Sequence, residues 1–192
     1  KPLLYYVVKE ARKVCDEIII VANEKNEEDI KEIFPDIKTV IQKVGDEYPY
    51  GTGYAASIGL EEIEEDDGVC IVLSGDVPLL KGETLKEMVL EHQNNGNSGS
   101  VLSCEMKDPS GYGRIVFGED EKFKKIREDK DASNEELKNK EKNSRIYSFN
   151  IAELKRFINE LDMDNSQGEL YLNDLIEILV DNDLRVDTHK LD

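Results

Sequence analysis

Along the chain, short uninterrupted apolar runs alternate with stretches in which apolar residues return every third or fourth position. Pro2 suits a first helical turn, where its missing N–H is no loss. Leu3, Leu4, Val7, Val8, Ala11 and Val14 follow at helical spacing. Residues 17–22 run on as isoleucine, valine and alanine after an opening Glu17, the pattern of a strand buried on both faces. A charged helix over 29–34 stops before Pro35, and a second strand is predicted over 39–42. A helix over 55–63, a third buried strand over 69–73 and a helix over 83–92 complete this half, the last closed by Asn94-Asn95-Gly96.

Beyond Ser98 the texture changes. Shorter strands are predicted over 101–106, 113–117, 123–127 and 145–149, with a polar helix over 133–140 before the last of them. The run 135–142 reads as a solvated helical face. Helices over 151–161 and 169–180 and a strand over 184–188 follow. Alternating runs of strand and helix length imply βαβ units. The predicted class is therefore α/β, with a Rossmann-like mixed, mainly parallel sheet flanked by helices. The 192 residues fit one domain, in which 1–98 resembles a nucleotide-binding layer and 99–192 an acceptor region on the same sheet.

Charge narrows the choice of partners. A net charge of −18 repels phosphate backbones, so nucleic acid is excluded as a partner, while a small phosphorylated substrate can be offset by a cation and backbone N–H groups. No apolar run is long enough to span a bilayer. The opening Lys1-Pro2 has neither an initiator Met nor a secretory apolar region, which suggests a trimmed segment and a cytoplasmic location. Cys15, Cys70 and Cys104 read as buried free thiols of a reducing compartment without a catalytic role.

Four segments carry candidate chemistry. In Leu73-Ser74-Gly75-Asp76-Val77-Pro78, Asp76 stands just past a buried strand, at the edge where open α/β sheets bind ligands. It is a hard oxygen ligand for Mg²⁺; a turn in which Asp76 merely bonds nearby N–H groups is an equal alternative. Tyr50-Gly51-Thr52-Gly53 precedes a helix and exposes N–H groups, but a plain turn with Thr52 as helix cap accounts for it better. Asp108-Pro109-Ser110-Gly111-Tyr112-Gly113-Arg114 is a turn whose backbone can face a ligand. The run from Asn165 to Asp174 is a polar helix start, fit for a cap or a phosphate. It is not an EF-hand: counted from Asp162, Gln167 stands where glycine is needed and Asn173 where the bidentate glutamate is needed.

Taken in order, these segments resemble the uridyltransferase half of the bifunctional N-acetylglucosamine-1-phosphate uridyltransferase/glucosamine-1-phosphate acetyltransferase family. Lys1-Pro2-Leu3-Leu4 looks like its G-K-P-M-L segment, Gly51-Thr52-Gly53 like its L-G-T-G-H-A base loop, and Gly75-Asp76-Val77-Pro78-Leu79 like its G-D-V-P-L metal segment. The segment from Asp108 to Ile115 is similar to D-P-x-G-Y-G-R-I, Glu128 with Lys130-Asp131-Ala132 to E-x-K-D-A, and Gln167-Gly168-Glu169 with Tyr171 and Asp174 to Q-G-E-Y-Y-x-T-D. The resemblance implies a nucleotide-diphospho-sugar transferase fold and transfer of a nucleotidyl group from a nucleoside triphosphate, UTP favoured, to N-acetylglucosamine-1-phosphate. Asp76 would hold a catalytic Mg²⁺. Gln42, Gly51, Thr52 and Gly75 would line the nucleotide. Gly113, Glu128 and Asn143 would bind the sugar, and Tyr171 and Asn173 would lie near its phosphate.

There are departures from the pattern. Pro49 replaces a base-reading Gln, Arg145 replaces the glycine of N-T-G, and Asn173 replaces a threonine. The family's triphosphate loop would precede Lys1 and its second metal ligand would follow Asp192, so the segment alone is expected to be inactive. Another hexose-1-phosphate nucleotidyltransferase, or a non-catalytic nucleotide-sugar-binding domain on the same scaffold, is the alternative. Self-association is left open.

Overall fold

The computed structural model describes residues 1–118 and 122–191. Helix α1 (Leu3–Ala11), strand β1 (Ile19–Asn23), helix α2 (Glu27–Ile33), strand β2 (Lys38–Gln42), helix α3 (Thr52–Leu60) and strand β3 (Val69–Val72) alternate as the periodicity predicts. Helix α4 (Gly82–Asn95) buries Leu85, Met88 and His92, spaced to share one face, and ends at Gly96 in the left-handed conformation at φ +65°.

The second half holds strands β4 (Gly99–Glu105), β5 (Arg114–Phe117), β6 (Phe123–Arg127) and β7 (Glu141–Asn150), then helices α5 (Ile151–Phe157) and α6 (Asp174–Asp181), and strand β8 (Val186–Leu191). Asn150 caps α5 by accepting from the Ala152 N–H at 3.0 Å.

Strand β7 is the spine of the larger, mixed sheet. It pairs antiparallel with β4 on one side and with β3 and β5 on the other. Beyond these, β6 pairs antiparallel with β5 and β8 parallel with β4. Val101 and Leu102, neighbours on β4, enter opposite cores, as the two-residue strand period requires. On one face Val101, Tyr147 and Phe149 pack with Leu154 and Phe157 of α5 and with Leu175 and Leu179 of α6. On the other, Leu102 and Ile146 meet Leu85 and Met88 of α4. There, buried His92 places Nδ1 2.8 Å from Ser100 Oγ and 3.1 Å from Ser148 Oγ, and burial pushes its pKa down to about 4, so the imidazole is neutral.

Strands β1 and β2 form a separate parallel pair over a third core of Val8, Ile20, Ala22, Ile30 and Phe34. Among the described residues, β1 pairs only with β2 and β3 only with β7. Burial follows from this. Residues 19–22 alternate between half-buried and buried and β3 is half-buried throughout, where both had read as buried on two faces. The three thiols are likewise half-buried and free.

Other differences lie in the second half and at α3. The polar helix over 133–140 shrinks to a single 3-10 turn, Glu136–Lys138, and 141–142 already belong to β7. Asn139 explains the stop: it donates to Ile115 O and accepts from the Glu141 N–H at 3.0 Å. Glu141 is then buried, accepting from Ser103 Oγ at 2.5 Å, so 135–142 is not one solvated face. The helix placed over 169–180 begins only at Asp174, and α3 begins at Thr52 rather than at residue 55. These last two shifts have a common cause at the candidate site.

Candidate functional site

Two motifs far apart in sequence are joined by their backbones. The Leu170 N–H donates to Tyr50 O at 2.7 Å, and the Gly53 N–H donates to Leu170 O at 2.8 Å. The Leu172 N–H donates to Thr52 Oγ1 at 3.1 Å. The N–H groups of Leu170 and Leu172 are thus spent on the loop before α3 instead of on helical bonds, and α6 starts only at Asp174, after a turn at 172–173. The expected capping by Thr52 is corrected as well: Gly51 occupies the cap position, Thr52 lies inside the helix, and its hydroxyl serves Leu172 instead. Gly51 has φ +119° and ψ 173°, a backbone conformation open essentially to glycine alone. A Cβ placed there would stand 2.4 Å from Leu170 O. Gln42, at the end of β2, donates from Nε2 to Gly51 O at 3.3 Å. So Gln42, Gly51 and Thr52 come together.

Gly113, Glu128 and Asn143 form a second group. The Asn143 N–H donates to Gly113 O at 2.9 Å, and a Cβ at Gly113 would stand 2.9 Å from Glu128 Oε1. Asn143 is buried; its Nδ2 donates to Tyr147 Oη at 2.6 Å and its Oδ1 accepts from the Arg145 N–H at 2.8 Å. Here β7 bulges: Val101 faces Tyr147 but Ser103 faces Asn143, so residues 144–146 stand opposite Leu102 alone. Ser144 Oγ ties the bulge down by donating to Leu102 O at 2.6 Å. Arg145, within it, has φ +62°, a conformation that costs a residue bearing a Cβ about 1–2 kcal/mol.

Glu128 and Tyr171 line a cavity of about 320 Å³ together with Asp131, Asp162, Asp174 and Glu177. Gln167 Nε2 donates to Tyr171 Oη. Burial raises the Glu128 carboxyl above the ordinary range; Arg145 opposes the shift, and Asp131, Asp129 and Glu169 add to it. Asp174 is pushed up to about 6, first by burial and then by Glu177, against Arg127. Asp174 is the residue that motif reading left without a role; its place in the run that begins at Gln167 was the available signal. Asn173 is buried and turned to Asp174, with Nδ2 3.3 Å from Asp174 Oδ1, and does not line the cavity.

The raised Asp174 pKa sets a pH dependence. Its folded value lies above the ordinary 3.8, so ionisation opposes folding. The contribution of Asp174 to stability is therefore most favourable below about pH 4 and is lost as pH rises through about 6. Asp174→Asn is expected to stabilise the protein by about 1–2 kcal/mol above pH 7, after allowance for solvent screening, and to have little effect near pH 4. Urea melts at the two pH values check it; the same gain at both would contradict the assignment.

Gly75 and Asp76 stand apart from both groups. They follow β3, are exposed, and share no hydrogen bond or ion pair with the other candidates. Among the described residues the Asp76 carboxylate accepts no hydrogen bond and forms no ion pair, so the structural-turn alternative, in which it bonds neighbouring N–H groups, is not what the chain does. Among the same residues no group of three or more His, Cys, Asp or Glu stands together to hold a metal, and no helix is long and apolar enough to cross a membrane.

Comparison with known proteins identifies the family of the chain. The chain is 38% identical over 199 aligned residues to the bifunctional protein GlmU of Acetivibrio thermocellus, covering 100% of the chain and 41% of that protein. It is 37% identical to the bifunctional protein GlmU of Thermoanaerobacter pseudethanolicus, covering 97% of the chain and 40% of that protein. It thus spans about two fifths of the length of these curated relatives. A Bacillus anthracis crystal structure, described provisionally as a glucose-1-phosphate thymidylyltransferase in complex with a sucrose, superposes with a TM-score of 0.70 over 100% of this chain and 74% of that one. At 18% identity this likeness speaks for the fold alone. The family model described as Nucleotidyl transferase matches residues 1–190, so the chain belongs to the nucleotidyl transferase family.

Proposed function

We propose that this chain is the nucleotidyl-transfer part of an enzyme that joins a sugar-1-phosphate to a nucleoside triphosphate, with UTP and N-acetylglucosamine-1-phosphate as the favoured pair. The product, UDP-N-acetylglucosamine, is of the kind consumed in building peptidoglycan, which goes with a cytoplasmic location. The observation that carries the reading is the backbone junction between the Gly51–Gly53 loop and residues 170–172. It supports one site in which a loop of the 1–98 part, reading the nucleotide, abuts a segment of the 99–192 part, holding the sugar phosphate. The relatives named bifunctional protein GlmU support the choice of substrates.

In this reading a phosphate oxygen of the sugar-1-phosphate attacks the α-phosphorus in line, and the bond to the departing pyrophosphate breaks. Gln42, Gly51 and Thr52 fix the base, while Glu128 accepts hydrogen bonds from sugar hydroxyls at the cavity wall. Positioning of this kind supplies much of the rate of such a transfer. A single free, exposed carboxylate at a strand end fits Mg²⁺, which takes one or two carboxylates and completes its shell with phosphate oxygens and water. Asp76 would hold that ion, whose charge offsets that of the triphosphate.

The test is pyrophosphate release by the intact protein, screened over four nucleoside triphosphates and a panel of sugar-1-phosphates. Release that requires both substrates and is fastest with UTP and N-acetylglucosamine-1-phosphate is expected. Fastest release with another pair would leave the reaction class and change the substrates. No release with any pair would favour the non-catalytic nucleotide-sugar-binding domain.

A further inference from the structure

We infer that Arg145 is a positioning residue for the sugar-phosphate site: from the β7 bulge its guanidinium holds the Glu128 carboxylate charged and in place as an acceptor at the cavity wall. The inference rests on the functional reading above and adds to it a side chain that stands where the resembled family has glycine. Arg145 occupies a left-handed backbone conformation that glycine adopts without penalty. Nothing in the bulge itself calls for a side chain there, because Ser144 and Asn143 already make the bulge's stabilising hydrogen bonds. Among the described residues the guanidinium pairs with one carboxylate: Arg145 Nη2 lies 3.8 Å from Glu128 Oε2.

Glu128 needs such a partner. It is largely withdrawn from water beside Gly113 and Ile126, and most of the groups facing it are acidic. Asp129 and Asp131 face it from the following turn, and Glu169, Tyr171 and Asp174 from the segment that leads into α6. Tyr147 faces it from β7, and Glu177 lines the same cavity from α6. Arg127, the neighbouring cation on β6, is engaged by Glu177 at 3.5 Å. Removing the Arg145 charge would therefore let Glu128 take up a proton at a higher pH and offer a donor where sugar hydroxyls need an acceptor.

The experiment compares Arg145→Gln, Arg145→Gly and Arg145→Lys in the intact protein. Gln and Gly are expected to raise the sugar-phosphate KM about 10-fold, the scale of one charge-assisted hydrogen bond, while the nucleotide KM stays within about 2-fold. The acid limb of kcat/KM for the sugar phosphate should move to higher pH, and Lys should restore most of both. Gly relieves the strained backbone, so its melting temperature should not fall, which separates positioning from folding. An unchanged sugar-phosphate KM, an equal rise in both KM values or an unmoved acid limb would overturn the inference. NMR titration of the Glu128 carboxyl in ligand-free Arg145→Gln provides a readout independent of activity; an upward shift supports the inference, and no shift overturns it. If the unaltered protein transfers nothing, the functional reading fails, and the titration alone decides whether Arg145 controls Glu128.

Discussion

Gly51→Ala is expected to lower stability by about 3 kcal/mol or more, a fall in melting temperature of about 6–12 °C for a chain of this size. Two independent costs add. An alanine at φ +119° and ψ 173° sits in a region that costs about 1–3 kcal/mol. Its Cβ would also stand 2.4 Å from Leu170 O and 2.9 Å from Leu170 N, contacts with main chain that no rotamer can relieve. The loop must then part from residues 170–172. Parting strips the bonds Leu170 N–H to Tyr50 O and Gly53 N–H to Leu170 O, each worth about 1 kcal/mol net. Thermal melts of Gly51→Ala against the parent decide the matter. A change under about 2 °C would mean that the loop and the distant segment are not joined in this way.

Asp76→Asn is expected to cut turnover of the intact protein at saturating Mg²⁺ by about 10²-fold or more, the scale of losing a key electrostatic stabiliser. The structure sharpens this expectation, because the side chain has no visible structural task. It is exposed, lies past the end of β3, and makes no hydrogen bond or ion pair among the described residues. The isosteric asparagine should therefore leave the melt unchanged within about 0.5 kcal/mol, as surface substitutions do. Loss of activity with an intact melt is a combination that a turn-stabilising aspartate would not produce. Near-parental turnover would remove Asp76 from the site.

Much of the fold was legible because local pattern and tertiary role agree. Leu85, Met88 and His92 share a helical face that the sheet covers, and Gly96 ends that helix as its sequence context predicts. Residues 123–127 read as a short strand and form β6 within those bounds, with Lys124 bulged so that both Phe123 and Ile126 are buried. The misreadings arose where a distant partner overrode local preference. Leu172, Leu175, Ile176 and Leu179 keep helical spacing, yet the Leu172 N–H is taken by Thr52 of a loop about 120 positions earlier and the helix begins only at Asp174. Glu141 and Lys142 look like the end of a solvated helix, yet Ser103 and the Asn139 turn draw them into β7.

The candidate site divides the same way. Its glycines and Glu128 were legible as motif residues. The strained bulge at Arg145 arises only when β7 pairs with β4, and the raised pKa of Asp174 only when α6 meets the end of β6 at the cavity; spacing along the chain carries no trace of either.

The pairing of β1 with β2 bears on how the two sheets are held together. Its core of Val8, Ile20, Ala22, Ile30 and Phe34 shares no buried member with the cores of the larger sheet, and no ladder hydrogen bond crosses between the sheets among the described residues. Helices α1 and α3 bridge this division: the Gly82 N–H donates to Glu10 Oε2 at 2.8 Å and Val14, just past α1, packs against the core of Leu85 and Met88, while Gly59 lets α3 approach Val21 of β1 and Leu60 is anchored in the core beneath α5 and α6. The β1–β2 pair is thus tied to the larger sheet through helices and side chains rather than through a strand ladder among the described residues. The Gln42–Gly51 contact adds a further tie, from the end of β2 to the loop before α3.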